Sequence, residues 1–254
     1  MEFNNYDTIA DLYDIYMPAT SDIDFFVKET TKSSGEVLEL MSGTGRVSIP
    51  LIEAGVKLTC VDLSAESNAI LVNKLHKMGL KADIHQMDVC DLELRKRFDM
   101  IIIPYYSFAH ITSPDAQRRA LARIRQHLLP GGTFICTLQN PELRQREVDG
   151  QLQYYKRYPL PDTRGALLLW SVENLNEDDN QVVEIMQFYE EYDAKGVLIS
   201  KRLLEVHFRL SRKDEIEELA KAAGFHVRGC YGDYSYSEFS DNSRFMIWLM
   251  ENAR

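Results

Sequence analysis

A strand-like run, Glu36-Val37-Leu38-Glu39-Leu40, passes through Met41-Ser42 into Gly43-Thr44-Gly45, and a helical stretch opens near Arg46. Glycines at such a turn let the backbone approach a ligand at the carboxyl end of a strand, where open α/β sheets bind small molecules. Charge narrows the choice of ligand. A dinucleotide-binding turn calls for a third glycine three residues after the second, but Ser48 stands there, and Glu39 sets a carboxylate where a pyrophosphate would be repelled. A ligand with an ammonium and no phosphate suits this turn better. Asp62, seventeen residues after Gly45, ends the run Leu58-Thr59-Cys60-Val61 and can accept two hydrogen bonds from a ribose diol. Asp88 follows a third strand-like run and is placed to receive an adenine amino group. His110, after Ser107-Phe108-Ala109, is the best general-base candidate, because imidazole takes up a proton near neutrality. Tyr106 joins it as a candidate catalytic residue. Each feature alone has a bland reading as a turn, a solvated strand end or an orienting or structural histidine, so their order along the chain carries the weight.

The elements that must hold these residues alternate from 36 to 139. Strand candidates are Glu36 to Met41, Lys57 to Asp62, Ala82 to Met87, Phe98 to Tyr105 and Thr133 to Gln139, with helices between them beginning near Arg46, at Ser64 and at Ser113. This is the pattern of a doubly wound parallel sheet. Ser113-Pro114-Asp115 starts a helix that Pro130-Gly131-Gly132 is expected to stop. From Gln151 to Leu210 the pattern becomes strand-rich, and Leu204, Val206, Phe208 and Leu210 alternate with polar residues, so an inserted antiparallel sheet is expected. A helix over Ser211 to Ala223, with Ser211 and Asp214 in capping-box spacing, and two last strands near Phe225 to Tyr231 and Ser243 to Met250 complete the layout. The predicted units are residues 1–34, a helical lid; 35–140, the core; 141–210, a β cap or dimer face; and 211–254, the rest of the core.

With 29 Lys and Arg against 39 Asp and Glu, the chain carries a formal charge of −10, which argues against a nucleic-acid groove. No apolar run approaches the roughly 20 residues of a membrane span, and the acidic start resembles no secretory signal, so a cytoplasmic protein without a membrane partner is expected. The four cysteines are scattered singly and read as reduced core thiols; the six histidines are dispersed, so no metal site is expected.

The ordered set resembles the class I S-adenosylmethionine-dependent methyltransferases over about residues 36 to 139. It does so through Glu39, Gly43 and Gly45, then Asp62, then Asp88, then Phe98-Asp99 before Ile101-Ile102-Ile103, then Leu129-Pro130-Gly131-Gly132. The small-molecule type is the nearest likeness, similar to amino-sugar N,N-dimethyltransferases and glycine N-methyltransferase-like enzymes. The resemblance implies a Rossmann-like sheet of seven strands, the seventh reversed, with S-adenosylmethionine as methyl donor and S-adenosylhomocysteine as product. The cofactor-binding residues it implies here are Glu39, Gly43, Gly45, Asp62, Leu63, Met87, Asp88 and Val89, with Pro104 at the end of the fourth strand and Tyr13 from a leader that folds over the cofactor. Relatives that methylate nucleic-acid amines carry Asn, Asp or Ser, then Pro-Pro, then an aromatic; Ile103 and Tyr105 break that pattern here.

A small-molecule acceptor with an amine or hydroxyl is therefore expected, under a cap that encloses a pocket or pairs two copies. Tyr6 and Tyr16 of the leader are candidates, with Tyr13, to cover the cofactor, several tyrosines of the cap are candidates to line the pocket, and Arg144 and Arg146 read as solvated helix charges or as partners of an acidic substrate. The rivals are O-methylation of a carboxylate on a peptide or acid and a cofactor-binding protein without turnover. A nicotinamide dehydrogenase fails on Glu39 and Ser48.

Overall fold

The computed structural model describes residues 4–33, 35–161 and 165–253. A short 3-10 turn, Tyr6–Ile9, leads into α1 (Ala10–Tyr16) and α2 (Ile23–Thr30). The core then alternates through β1 (Glu36–Leu40), α3 (Ser48–Glu53), β2 (Lys57–Asp62), α4 (Ala65–Met78), β3 (Asp83–Gln86), β4 (Phe98–Ile103), α5 (Pro114–His127) and β5 (Leu128–Gln139). After α6 (Pro141–Arg146) come β6 (Gln153–Pro159), β7 (Ala166–Leu175), β8 (Val182–Tyr192) and β9 (Leu198–Arg209). The chain closes with α7 (Lys213–Ala222), β10 (Phe225–Tyr231) and β11 (Phe245–Asn252).

Seven strands form one sheet in the order β10-β11-β5-β4-β1-β2-β3, and β6-β7-β8-β9 form a second. The first five strands pair parallel, while β11 runs antiparallel between β5 and β10. Strand order reverses between β1 and β4, so the chain leaves their carboxyl ends in opposite directions and opens the crevice in which such sheets bind ligands. The second sheet is an antiparallel meander. Among the described residues no helix is long and apolar enough to cross a membrane.

Local chemistry sets the helix ends that aim the site. The Ser64 hydroxyl accepts the Ser67 N–H at the start of α4, and Gly79, at φ 68°, ends that helix in the left-handed region. Ser113 caps α5 with Pro114 at its first position, as its sequence predicts.

Several boundaries differ from those predicted. The helix before Pro130-Gly131-Gly132 stops at His127, and the strand begins at Leu128, with the proline and glycines absorbed where the β4–β5 register shifts. Long-range partners explain this: Asn252 donates to the Leu128 and Leu129 carbonyls at 3.2 and 3.1 Å, fixing the strand ahead of the turn signal. Helix α7 starts at Lys213 rather than Ser211, because Glu215, not Asp214, reaches back to the Arg212 N–H at 2.8 Å. Strands three and four are shorter than expected, the latter ending at Ile103 where Tyr105 and Tyr106 turn left-handed. The first crossover helix begins at Ser48 and the last strand at Phe245, each two residues later than expected.

Apolar side chains fill both faces of the large sheet. One face packs Phe25 and Phe26 of α2, Leu51 of α3 and Leu71 of α4 against Val37, Cys60 and Ile102. The other packs α5 and α7 and continues without a break into the inner face of the small sheet, through Leu167, Ile185 and Val206, and into Leu12 of α1. Each such side chain gains roughly 1.5–3 kcal/mol on leaving water. The small sheet therefore shares the main core. Cys60, Cys90 and Cys136 are buried and Cys230 partly so, all as free thiols.

Candidate active site

The turn after β1 is held by the chain around it. Gly45 has φ 90°, and a Cβ there would lie 2.3 Å from the Leu71 side chain, so both backbone and packing require glycine. Gly43, at φ 56°, has open space where a Cβ would stand, which leaves its backbone accessible. Its N–H donates to Asp62 Oδ2 at 2.7 Å, and the Ser64 N–H donates to Asp62 Oδ1 at 2.8 Å. The Leu63 N–H bonds the same carboxylate as well. Burial raises the Asp62 pKa, and the Ser64 and Gly43 N–H groups oppose that rise. Glu39 is 2% exposed and accepts the Ser48 hydroxyl at 2.6 Å. Ser48, the residue standing where a dinucleotide turn has glycine, thus serves the buried acid. Burial pushes Glu39 up to about 8. In the ligand-free protein near neutral pH it is mostly protonated, and the negative charge at this edge comes from its other acids.

Those acids fasten the leader over the turn. Asp7 accepts the Ser64 hydroxyl and, at 3.3 Å, the Glu66 N–H at the start of α4. Asp14 accepts the Thr44 hydroxyl at 2.7 Å and pairs with Lys74 at 2.5 Å, while Lys74 also donates to the Thr44 carbonyl. Asp22, wholly buried, takes both Arg46 nitrogens at 2.6 and 2.7 Å, and Arg46 also donates to the Ala19 carbonyl. On its other side the leader meets the small sheet. Asn4 bonds β9 at Glu205 and His207, and Arg202 grips Asp11 at 2.6 and 3.1 Å.

Beneath the leader, His110 Nδ1 lies 3.2 Å from the His207 carbonyl. A carbonyl only accepts, so Nδ1 carries the proton and Nε2 has a free lone pair. That lone pair faces the Tyr6 hydroxyl at 3.4 Å, a long contact. Burial lowers the His110 pKa, against the His207 carbonyl, and burial holds the Tyr6 phenol well above its ordinary value. Both groups are neutral at pH 7. The rings of Tyr6, Tyr13, Tyr16 and Tyr189 follow one another at 6.3, 5.4 and 5.2 Å between leader and cap.

Tyr105 and Tyr106 both adopt positive φ, 51° and 64°. Such backbone costs on the order of 1–3 kcal/mol per residue and persists only where surroundings enforce it. Here Arg46 stacks 4.6 Å over Tyr105, and Tyr106 packs on Phe245 at 5.8 Å.

The residues singled out by sequence fall into groups. Glu39, Gly43, Gly45 and Asp62 surround one turn, with Leu63, 64% exposed, just beyond it. Met87, exposed Asp88 and buried Val89 follow β3, where Asp88 accepts the Cys90 N–H at 2.7 Å. Pro104 is buried after β4, Tyr13 lies in the leader, and His110 meets Tyr6, whereas the Tyr106 ring turns toward Tyr105 and Phe245. Arg144 is no solvated charge: it pairs with Glu173 of β7 and lies 5.4 Å over the Phe208 ring. Tyr154 and Tyr155 of the cap are exposed, while Tyr189 is wholly buried beside Tyr16. Sequence reasoning missed the Asn4–β9 bonds, the Asp14 clasp and the Asp22–Arg46 pair. The one signal for them was the run of acids at 7, 14 and 22.

A family described as "Methyltransferase domain" matches residues 37–132. The glycine/sarcosine N-methyltransferase of Halorhodospira halochloris is 33% identical over 147 residues, 57% of this chain and 52% of that protein, so the match spans about half of it. An uncharacterized methyltransferase of Bacillus thuringiensis (strain Al Hakam) is 30% identical over 148 residues, 52% of this chain and 68% of that one. Among solved structures, an S-adenosylmethionine-dependent methyltransferase from Clostridium acetobutylicum ATCC 824 superposes with a TM-score of 0.83 over 99% of this chain and 100% of that one. At 20% identity it establishes the shared fold.

Proposed function

Because the chain belongs to the class I S-adenosylmethionine-dependent methyltransferases, we propose that it moves a methyl group onto the amine nitrogen of a small metabolite. The acceptor sits where leader, small sheet and the end of β4 meet. The carrying observation is His110: a partly buried, neutral imidazole whose proton is fixed on Nδ1 and whose Nε2, among the described residues, meets a phenol at long range. An amine reacts as its free base, so one proton must leave the nitrogen, and Nε2 is the group that receives it or orients the N–H. The Tyr6 hydroxyl donates to Nε2 until the acceptor displaces it.

S-adenosylmethionine, when bound, supplies a methyl group on cationic sulfur. The residues suit it: the turn at Gly43 is open, Asp62 sets a carboxylate beside it for a diol, and Asp88 is exposed for an exocyclic amine. Glu39 and Gly45 shape the turn, while Leu63, Met87, Val89 and Pro104 supply apolar contact. Residues 4–22 act as the lid, with Tyr13 on its inner side, and exclude water. The N-methyltransferase among the relatives supports nitrogen over oxygen.

Incubation with methyl-labelled cofactor and a fractionated metabolite extract, followed by mass spectrometry, tests this reading. The label should appear on nitrogen in a small amine. A base-labile methyl ester would replace nitrogen by carboxylate, and cofactor binding without transfer into any fraction would leave a binding protein.

A further inference from the structure

The small sheet shows water a face that does not look like a monomer's surface. Cross-strand register places Tyr154, Trp170, Phe188 and Leu203 directly opposite one another, one from each of β6, β7, β8 and β9. Directly opposed residues share a face, so this is an unbroken apolar row across the whole sheet. Tyr154 and Leu203 are half exposed, and Met186 and Val172 extend the row toward one end of the strands. Of the acids on this face, Glu190 is already paired: it accepts from Lys201 at 2.9 Å, Tyr192 at 3.1 Å and Trp170 Nε1 at 3.2 Å. Burying it again costs little.

We propose that this face pairs with the same face of a second copy of the chain, about a two-fold axis running along the Tyr154–Trp170–Phe188–Leu203 row. The occupant follows from charge and register. Such an axis lays the row on itself and turns every strand end for end, so residues two before the row meet those two after it. On β9 these are Lys201 and Glu205, which form an ion pair in each direction. On β7, Leu168 meets Val172, apolar on apolar, and on β8 the already paired Glu190 meets Met186. The area agrees. Four strands about 4.8 Å apart and about 10 residues long present roughly 650 Å² of flat face, near the roughly 800 Å² per partner of an ordinary specific interface.

Sedimentation velocity over a concentration series of the full chain tests the proposal. Wild type should be a dimer, Leu203→Glu should weaken it by about a hundredfold, and Glu205→Lys by about tenfold, the second loss shrinking in high salt. Far-UV circular dichroism and affinity for S-adenosylhomocysteine should not change in either variant, which separates lost pairing from lost folding. The chain has two tryptophans and Trp248 is fully buried, so a red shift of emission on dissociation reports Trp170. A monomer at every concentration overturns the proposal. So does a dimer that both substitutions leave intact, or one whose dissociation does not move the emission.

Discussion

His110 and His127 sit at opposite edges of the same parallel sheet and start from the same chemistry, an imidazole whose Nδ1 proton is given to a backbone carbonyl. Their Nε2 atoms differ. His127 accepts the Leu94 N–H at 2.9 Å, whereas His110 faces a phenol of the leader at 3.4 Å. At the amino edge the ring is saturated and serves architecture. At the carboxyl edge it holds a lone pair in reserve. If His110 works as proposed, the strength of its second bond, rather than burial alone, separates it from the structural His127.

The widest separation between the two edges should come from removing each ring. His110→Ala is expected to lower turnover by about 10² to 10⁴-fold with little change in melting, since it would remove the proposed proton acceptor. His127→Ala should do the reverse, leaving turnover near wild type while unfolding is eased by about 1–3 kcal/mol, because the Leu94 N–H loses its partner. If steady-state rates fall equally in both, the contrast fails.

The carboxyl edge should also titrate. Glu39 has a folded pKa of about 8, above its unfolded value, so the folded state holds a proton the unfolded state gives up. Stability is fully present below about pH 4.5 and is lost as pH rises toward 8, by up to about 1.4 kcal/mol per unit inside that window. Denaturant melts at pH 5 and pH 8 should show Glu39→Gln losing less between the two than wild type. A parallel pair of curves would mean that the carboxylate is charged throughout.

Asp62→Ala should weaken binding of S-adenosylhomocysteine by about 1–3 kcal/mol, read by calorimetry, since it loses the diol acceptor and frees Gly43. Smallest is Tyr6→Phe. The long contact predicts a fall of less than about tenfold in kcat, corresponding to roughly 0.5–1.5 kcal/mol for a neutral hydrogen bond. A loss as large as that of His110→Ala would make Tyr6 the proton acceptor's equal.

What could be read from sequence had local causes. Gly45 is legible because one backbone angle and one neighbour demand it, and Asp62 because a strand's tip is recognisable from the apolar run before it. The helix at Ser113 carries its cap and proline within three residues. What could not be read depends on partners far along the chain. Asn252 decides where β5 begins, more than a hundred residues away, and Asp22 finds Arg46 only once α2 is docked. The Tyr6–His110 meeting has the same origin: both residues were visible, but their distance was not. The left-handed pair Tyr105-Tyr106 defied local expectation outright, since neither residue favours that backbone.

The uninterrupted packing between the small sheet and the large one bears on how such proteins acquire new specificities. A cap lying on a finished core could be traded between relatives like a cartridge. This one cannot, because lifting out residues 151–210 would strip Leu167, Ile185 and Val206 from the interior and uncover the Ser107–His110 turn and the leader that β9 packs against. Recombination at those borders would yield collapsed hybrids. Divergence in what the pocket accepts must instead proceed by point substitutions on the lining, with the buried seam kept intact.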